Sequence, residues 1–144
     1  MAENITIENS RARAQAAADA AEEMKALDVV ILDVSERTSL TDFLVIASGT
    51  SDTHLKSISE HIQDTMRNDW KARAKPQGTA ESFWMVLDYG DVIVHIFDAD
   101  TREFYDLERL WNPALKRKPE LLRQRILNRP IAFNKNRKVA TRRR

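Results

Sequence analysis

The chain has 144 residues, 42% of them apolar and 31% charged, with three glycines and four prolines; this is enough for one domain around one hydrophobic core and too little for two. The absence of cysteine excludes disulfides, thiolate nucleophiles and cysteine zinc sites, and no apolar run approaches the roughly 20 residues that a membrane-spanning helix needs. The net charge of +1 conceals an asymmetry: from Leu115 onward 12 basic residues face the single acid Glu120, whereas Met1 to Ala114 holds 11 basic and 21 acidic residues.

The N-terminus lacks the apolar core of a signal peptide, and Glu3, Glu8, Asp19, Glu22 and Glu23 argue against a transit peptide, so a soluble cytoplasmic protein is expected. Asn9 and Ser10 are candidate caps for a first helix running to about Leu27, whose thin stripe of Ala17, Ala20, Ala21, Met24 and Leu27 suits a covering helix. The β-rich runs 28–34 and 42–48 predict two strands, paired antiparallel across the polar loop 35–41. Gly49 to Asp52 then opens a long helix to about Lys75, with Ser51 or Asp52 as its cap and apolar positions Leu55, Ile58, Ile62, Met66 and Trp70; Pro76 and Gly78 are read as its stop. A second strand pair spans 82–87 and 92–97. Asp98, Asp100 or Thr101 starts a short helix through Leu110, with Phe104, Leu107 and Leu110 facing the core, and Pro113 stops it.

This order predicts one α/β domain over 1–114, a mixed sheet of four strands or slightly more covered by helices, followed by a basic C-terminal tail over 115–144. Within the tail, Glu120 to Leu127 has the pattern of a short amphipathic helix, and the rest has little to bury.

The stretch WMVLDYGDVIVHIF, Trp84 to Phe97, carries the functional question. With Tyr89-Gly90 as a two-residue turn, Trp84 pairs with His95 and Asp88 with Asp91. Alternation then puts Phe83, Met85, Leu87, Val92, Val94 and Ile96 on a core face. Trp84, Val86, Ile93 and His95, with the two aspartates at the rim, lie on the opposite one. A face that is apolar in the middle, acidic at the edge and anchored by tryptophan suits a protein partner. Burial of that face under another helix is the competing reading.

An enzyme would need more. Ser48-Gly-Thr-Ser51 at a helix start offers backbone N–H groups to phosphate, and Asp98-Ala-Asp100 has the alternating carboxylate spacing of a metal site. Asp98 and Asp100 also have a helix-capping explanation, no Walker-type glycine motif is present, and no nucleophile is visibly backed by a base. A nucleotidyl-transfer enzyme acting on a nucleotide is therefore the alternative, and no cofactor or metal is expected.

Four motifs in order, Asp28-Val-Val-Ile-Leu-Asp-Val34, Thr41-Asp-Phe43 leading into Ala47-Ser-Gly-Thr-Ser51, Trp84 to Phe97, and Arg102-Glu-Phe-Tyr-Asp-Leu-Glu-Arg-Leu-Trp111, resemble the ribosomal silencing factor, or Iojap, family over roughly Ala14 to Ala114. The resemblance implies a nucleotidyltransferase-like α/β fold without catalysis, usually homodimeric. It also implies binding to the large ribosomal subunit through ribosomal protein L-fourteen, which blocks joining of the small subunit and represses translation. Carried over by residue, it points to Trp84 as anchor, Tyr89 as a second contact and Asp88 and Asp91 as acidic partners, with Tyr105 and Arg109 as further candidates. The chain departs from the family pattern after Ala114. There Lys116, Arg117 and Lys118, and Arg142, Arg143 and Arg144, are candidate contacts to ribosomal RNA phosphates; a fold-back onto the acidic body is the other use of this charge.

Overall fold

The computed structural model describes residues 7–111, so the basic segment and its lysine and arginine clusters lie outside the described residues. Helix α1 (Ile7–Glu23), strands β1 (Leu27–Asp33) and β2 (Phe43–Gly49), helix α2 (Asp52–Trp70), strands β3 (Lys75–Thr79), β4 (Trp84–Asp88) and β5 (Val92–Asp98), and helices α3 (Ala99–Tyr105) and α4 (Leu107–Trp111) follow in order. The strands form one mixed sheet in the order β1-β2-β5-β4-β3, in which only β2 and β5 run parallel.

Strand β2 is buried along its whole length, lying between β1 and β5 in the interior of the sheet, which agrees with its unbroken apolar run. Helices α1 and α2 pack on one face. Phe43, Val45, Ala47, Leu87, Val92, Val94 and Ile96 meet Leu55, Ile58, Ile62 and Met66 of α2 there. Helix α1 is a core element and not the covering helix expected: Ala14, Ala17, Ala18, Ala20 and Ala21 are all buried. Alanine adds little to an apolar stripe, yet its small side chain lets a helix approach its neighbours closely, and that packing is invisible to hydropathy. Ser10 does not cap α1; it is wholly buried inside the first turns.

Ser51 caps α2 by accepting from the His54 N–H, as one of the two expected caps. The helix stops at Lys71, which takes a left-handed conformation with φ 54°, five residues before Pro76. Pro76 and Gly78 are not helix stops but members of β3, a fifth strand on the sheet edge, where a missing N–H is tolerated. Gly78 is required there. Its φ is +77°, and a Cβ at this position would lie 2.2 Å from the Trp84 carbonyl oxygen.

The expected single helix from Asp98 to Leu110 is two short ones. Asp98 caps α3 by accepting from the Thr101 N–H, and Asp106, with φ 55°, turns the chain into α4. That break rotates Leu110 outward, 68% exposed, instead of into the core.

Candidate protein-binding face

The hairpin turn is centred on Gly90-Asp91, not Tyr89-Gly90: the Tyr89 N–H bonds to the Val92 carbonyl and Gly90 takes φ +90°. Glycine at the first central position is what the tight hairpin turns require. Trp84 therefore pairs with Phe97, Val86 with His95 and Asp88 with Ile93, two residues away from the expected register. A slip of two leaves every side chain on its predicted face, because the pleat repeats every two residues.

The face opposite α1 and α2 can be laid out from the registers. One row runs Leu32, Leu44, Ile93, Asp88; the next runs Val30, Ile46, His95, Val86; the last runs Ser48, Phe97, Trp84. Leu44, Ile46 and Phe97 are buried, whereas Val30, Leu32, Val86, Ile93, His95 and Trp84 are half-buried. Helix α3 covers only the last row. Tyr105 sets its ring 4.4 Å from that of Trp84, and Phe97 meets Trp84 edge-on at 5.0 Å.

Trp84 is thus held on three sides. Its indole N–H donates to His95 Nδ1 at 3.1 Å, so the imidazole carries its proton on Nε2. Burial pushes His95 down from 6.5 to about 4, which keeps the ring neutral at physiological pH. The result is a preformed aromatic corner beside an apolar patch, with Asp88 at the far end and its carboxylate accepting from the Gly90 N–H.

The structure divides the predicted site residues. Trp84, Asp88 and Tyr105 belong to this face. Asp91 does not: its carboxylate turns to the helix layer, accepting from Ser10 Oγ at 2.8 Å and pairing with Arg13 at 3.2 Å. The same serine hydroxyl lies 3.1 Å from Asp42, and the Asp91 carbonyl receives the Asp42 and Phe43 N–H groups, so the turn is bolted to α1 and β2. Tyr89 also points to the helix side, packed against the core. Burial raises its hydroxyl to about 12, against the pull of Arg13 and Arg67. Arg109 lies on α4, 3.4 Å from Asp106.

Sequence reasoning missed the half-buried Val30 and Leu32, whose place on this face depends on how β1 registers through β2 to β5. It also missed Arg102, a buried guanidinium that grips Glu108 with two nitrogens, at 3.1 and 2.9 Å, and donates to Ser48 Oγ at 2.8 Å. Arg102 fastens α3 and α4 to the end of β2. A six-residue spacing across a helix break gives no periodic signal.

Part of the donor set that the nucleotide-transfer reading needs is already engaged. The Thr50 N–H is committed to His54 Nδ1 at 2.9 Å, the His54 N–H to Ser51 and the Thr101 N–H to Asp98. Among the described residues no three histidine, aspartate or glutamate side chains converge on a point where a metal ion could sit. None of the described helices is long and apolar enough to cross a membrane.

Fold and face together define a single-domain α/β protein with a mixed sheet, packed by two helices on one side and open over two rows of the other. The sequence model of the RsfS family, ribosomal silencing factor during starvation, matches residues 7–144, and the chain belongs to that family. This match runs through the basic segment, beyond the stretch Ala14 to Ala114 in which the motifs lie. The ribosomal silencing factor RsfS of Bacillus subtilis is 33% identical over 106 residues, covering 74% of this chain and 90% of its own. The chloroplastic protein Iojap of Zea mays is 35% identical over 97 residues, 67% of this chain and 42% of its own. Among solved structures, a Chromobacterium violaceum protein superposes with a TM-score of 0.68 at 31% identity, covering 76% of this chain and 89% of that one.

Proposed function

We propose that this protein represses translation by binding the large ribosomal subunit through ribosomal protein L-fourteen and sterically preventing the small subunit from joining. It acts in the cytoplasm, as a homodimer, and catalyses nothing. Family membership supports the ribosomal role, and one structural observation carries the mode of binding: the apolar sheet face of Val30, Leu32, Val86, Ile93 and His95, with Trp84 preset at its corner. Such a face supplies apolar area at little ordering cost, because its side chains are already held on strands. Asp88 and Tyr105 would contact the partner at opposite margins and Arg109 near α4, whereas Tyr89 and Asp91 would act by fixing the turn. The clusters Lys116 to Lys118 and Arg142 to Arg144 would add salt-sensitive contacts to ribosomal RNA phosphates.

The test is sedimentation of purified ribosomal subunits with wild-type protein and with Val86→Glu, which places a charge in the middle of the open face. Wild type should migrate with the large subunit and suppress joined particles, and the variant should do neither while keeping its helical circular dichroism. Undiminished migration of a folded Val86→Glu protein would refute this face as the contact.

A further inference from the structure

Trp84 uses its indole N–H inside the protein. The donation to His95 Nδ1 at 3.1 Å leaves the indole only its ring to offer a partner, and it fixes the imidazole proton on Nε2. That Nε2–H has no acceptor among the described residues and lies at the accessible part of a half-buried ring. The open face therefore presents an oriented donor whose direction is set by a neighbouring side chain. Its setting is apolar. Val86 and Ile46 are the cross-strand neighbours of His95, and Ile93 and Phe97 precede and follow it on the same face of β5. The rings of Trp84 and Phe97 lie 6.0 and 5.8 Å from the imidazole, centre to centre, so the donor is held before any partner arrives.

A surface that closes over these rows excludes water from the Nε2–H, and a donor buried without an acceptor costs more than a hydrogen bond gains. A partner that brings an acceptor to this point is accepted, and one that does not is rejected. The charge of the acceptor follows from the surroundings. A carboxylate would have to shed its hydration among valines and isoleucines, beside a body that holds 21 acids against 11 basic residues up to Ala114. It would also gain no counter-charge, because burial keeps the imidazole neutral at physiological pH, with its pKa at about 4. A main-chain carbonyl meets neither penalty, and an apolar segment of protein carries one at every residue.

We propose that His95 is a specificity-determining contact of the open face, its Nε2–H donating to a main-chain carbonyl oxygen of the ribosomal protein that covers Val86 and Ile93. Trp84 then acts in two ways, through its own ring and by holding the tautomer of His95. The assignment rests on the ribosome-binding reading above.

Imidazole nitrogen spectra test the free, full-length protein first. Nδ1 should be unprotonated and Nε2 protonated, with the Nε2 proton exchanging freely with water; the opposite tautomer would overturn the proposal whatever the ribosome does. Three full-length variants then enter the sedimentation assay, each checked for a wild-type circular dichroism spectrum. His95→Gln, whose amide reaches the Nε2 position, should bind the large subunit within about twofold of wild type, whereas His95→Leu, more apolar but without a donor, should bind about tenfold more weakly. His95→Asn keeps an acceptor for Trp84 but ends short of Nε2, and should weaken binding as leucine does. Leucine binding as well as wild type would reduce His95 to apolar area, and a loss with leucine but not with asparagine would assign the effect to Trp84; either result overturns the donor. Asparagine against glutamine carries the comparison if the leucine variant does not fold. Failure of wild type itself to bind the large subunit would sink the ribosomal reading and the contact with it, a result that the wild-type sample alone distinguishes from loss of the donor.

Discussion

His95 makes stability depend on pH in a way that can be worked out from its surroundings. Burial lowers its pKa from 6.5 to about 4, and Trp84 already donates to Nδ1, the nitrogen that would have to take up the proton. Above pH 6.5 the ring is neutral in folded and unfolded chains alike, and no stability is at stake. As pH falls, the unfolded chain binds the proton first, so stability is lost progressively between about pH 6.5 and pH 4 and levels off below that. The loss attributable to this ring is about 1 kcal/mol at pH 5.5 and about 3 kcal/mol at its limit. Urea unfolding of wild type and His95→Gln across this range isolates the contribution, since glutamine retains an acceptor for Trp84 and does not titrate. The wild-type curve should fall away from that of the variant by these amounts, and the imidazole proton signals should hold their neutral shifts to below about pH 5. A folded-state titration near 6.5, or parallel stability losses in the two proteins, would refute the burial argument.

Three further substitutions probe the frame around the face. Gly78→Ala should cost about 2 to 4 kcal/mol, because the new Cβ would run into the Trp84 carbonyl at a left-handed position. Gly90→Ala, which meets nothing within 4 Å, should cost only about 1 kcal/mol of turn strain; comparable losses in denaturant melts would contradict this contrast. Ser10→Ala leaves two carboxylates without their shared donor and should destabilise by about 1 to 3 kcal/mol; an unchanged midpoint would mean that the hydroxyl does not hold α1 to the turn. Asp91→Asn and Asp88→Asn should separate structure from binding. The first breaks a mostly buried pair with Arg13 and lowers stability by about 2 kcal/mol or more, whereas the second leaves the melt unchanged and weakens association with the large subunit.

Much of the fold was legible because it rests on local pattern. The period-two alternation of β4 and β5 sorted their side chains correctly even though the turn was placed one residue early, since the resulting slip was even. The capping chemistry of Ser51 and the 3.6-residue repeat of α2 were equally direct. Where local signals were weak, the reading failed: β3 contains proline and glycine and is exposed throughout, so nothing in its composition marks it as a strand. Its identity comes from the unsatisfied edge of β4, which supplies the ladder. The alanines of α1 were underrated for a similar reason, because close approach rewards smallness that hydropathy does not score.

The candidate site divides along the same line. The sequence by itself determined that Trp84, Val86, Ile93 and His95 share a face, that the family motifs are present in order, and that an acidic body adjoins a basic segment, for these follow from residue spacing and charge. Only the tertiary structure decided that Asp91 and Tyr89 turn away into the helix layer, that Val30 and Leu32 join the face across two strands, and that Arg102 fastens α3 over its last row. Those outcomes depend on contacts between residues 12 to 81 positions apart, and no periodicity within one element encodes which distant partner will be there to satisfy a buried charge.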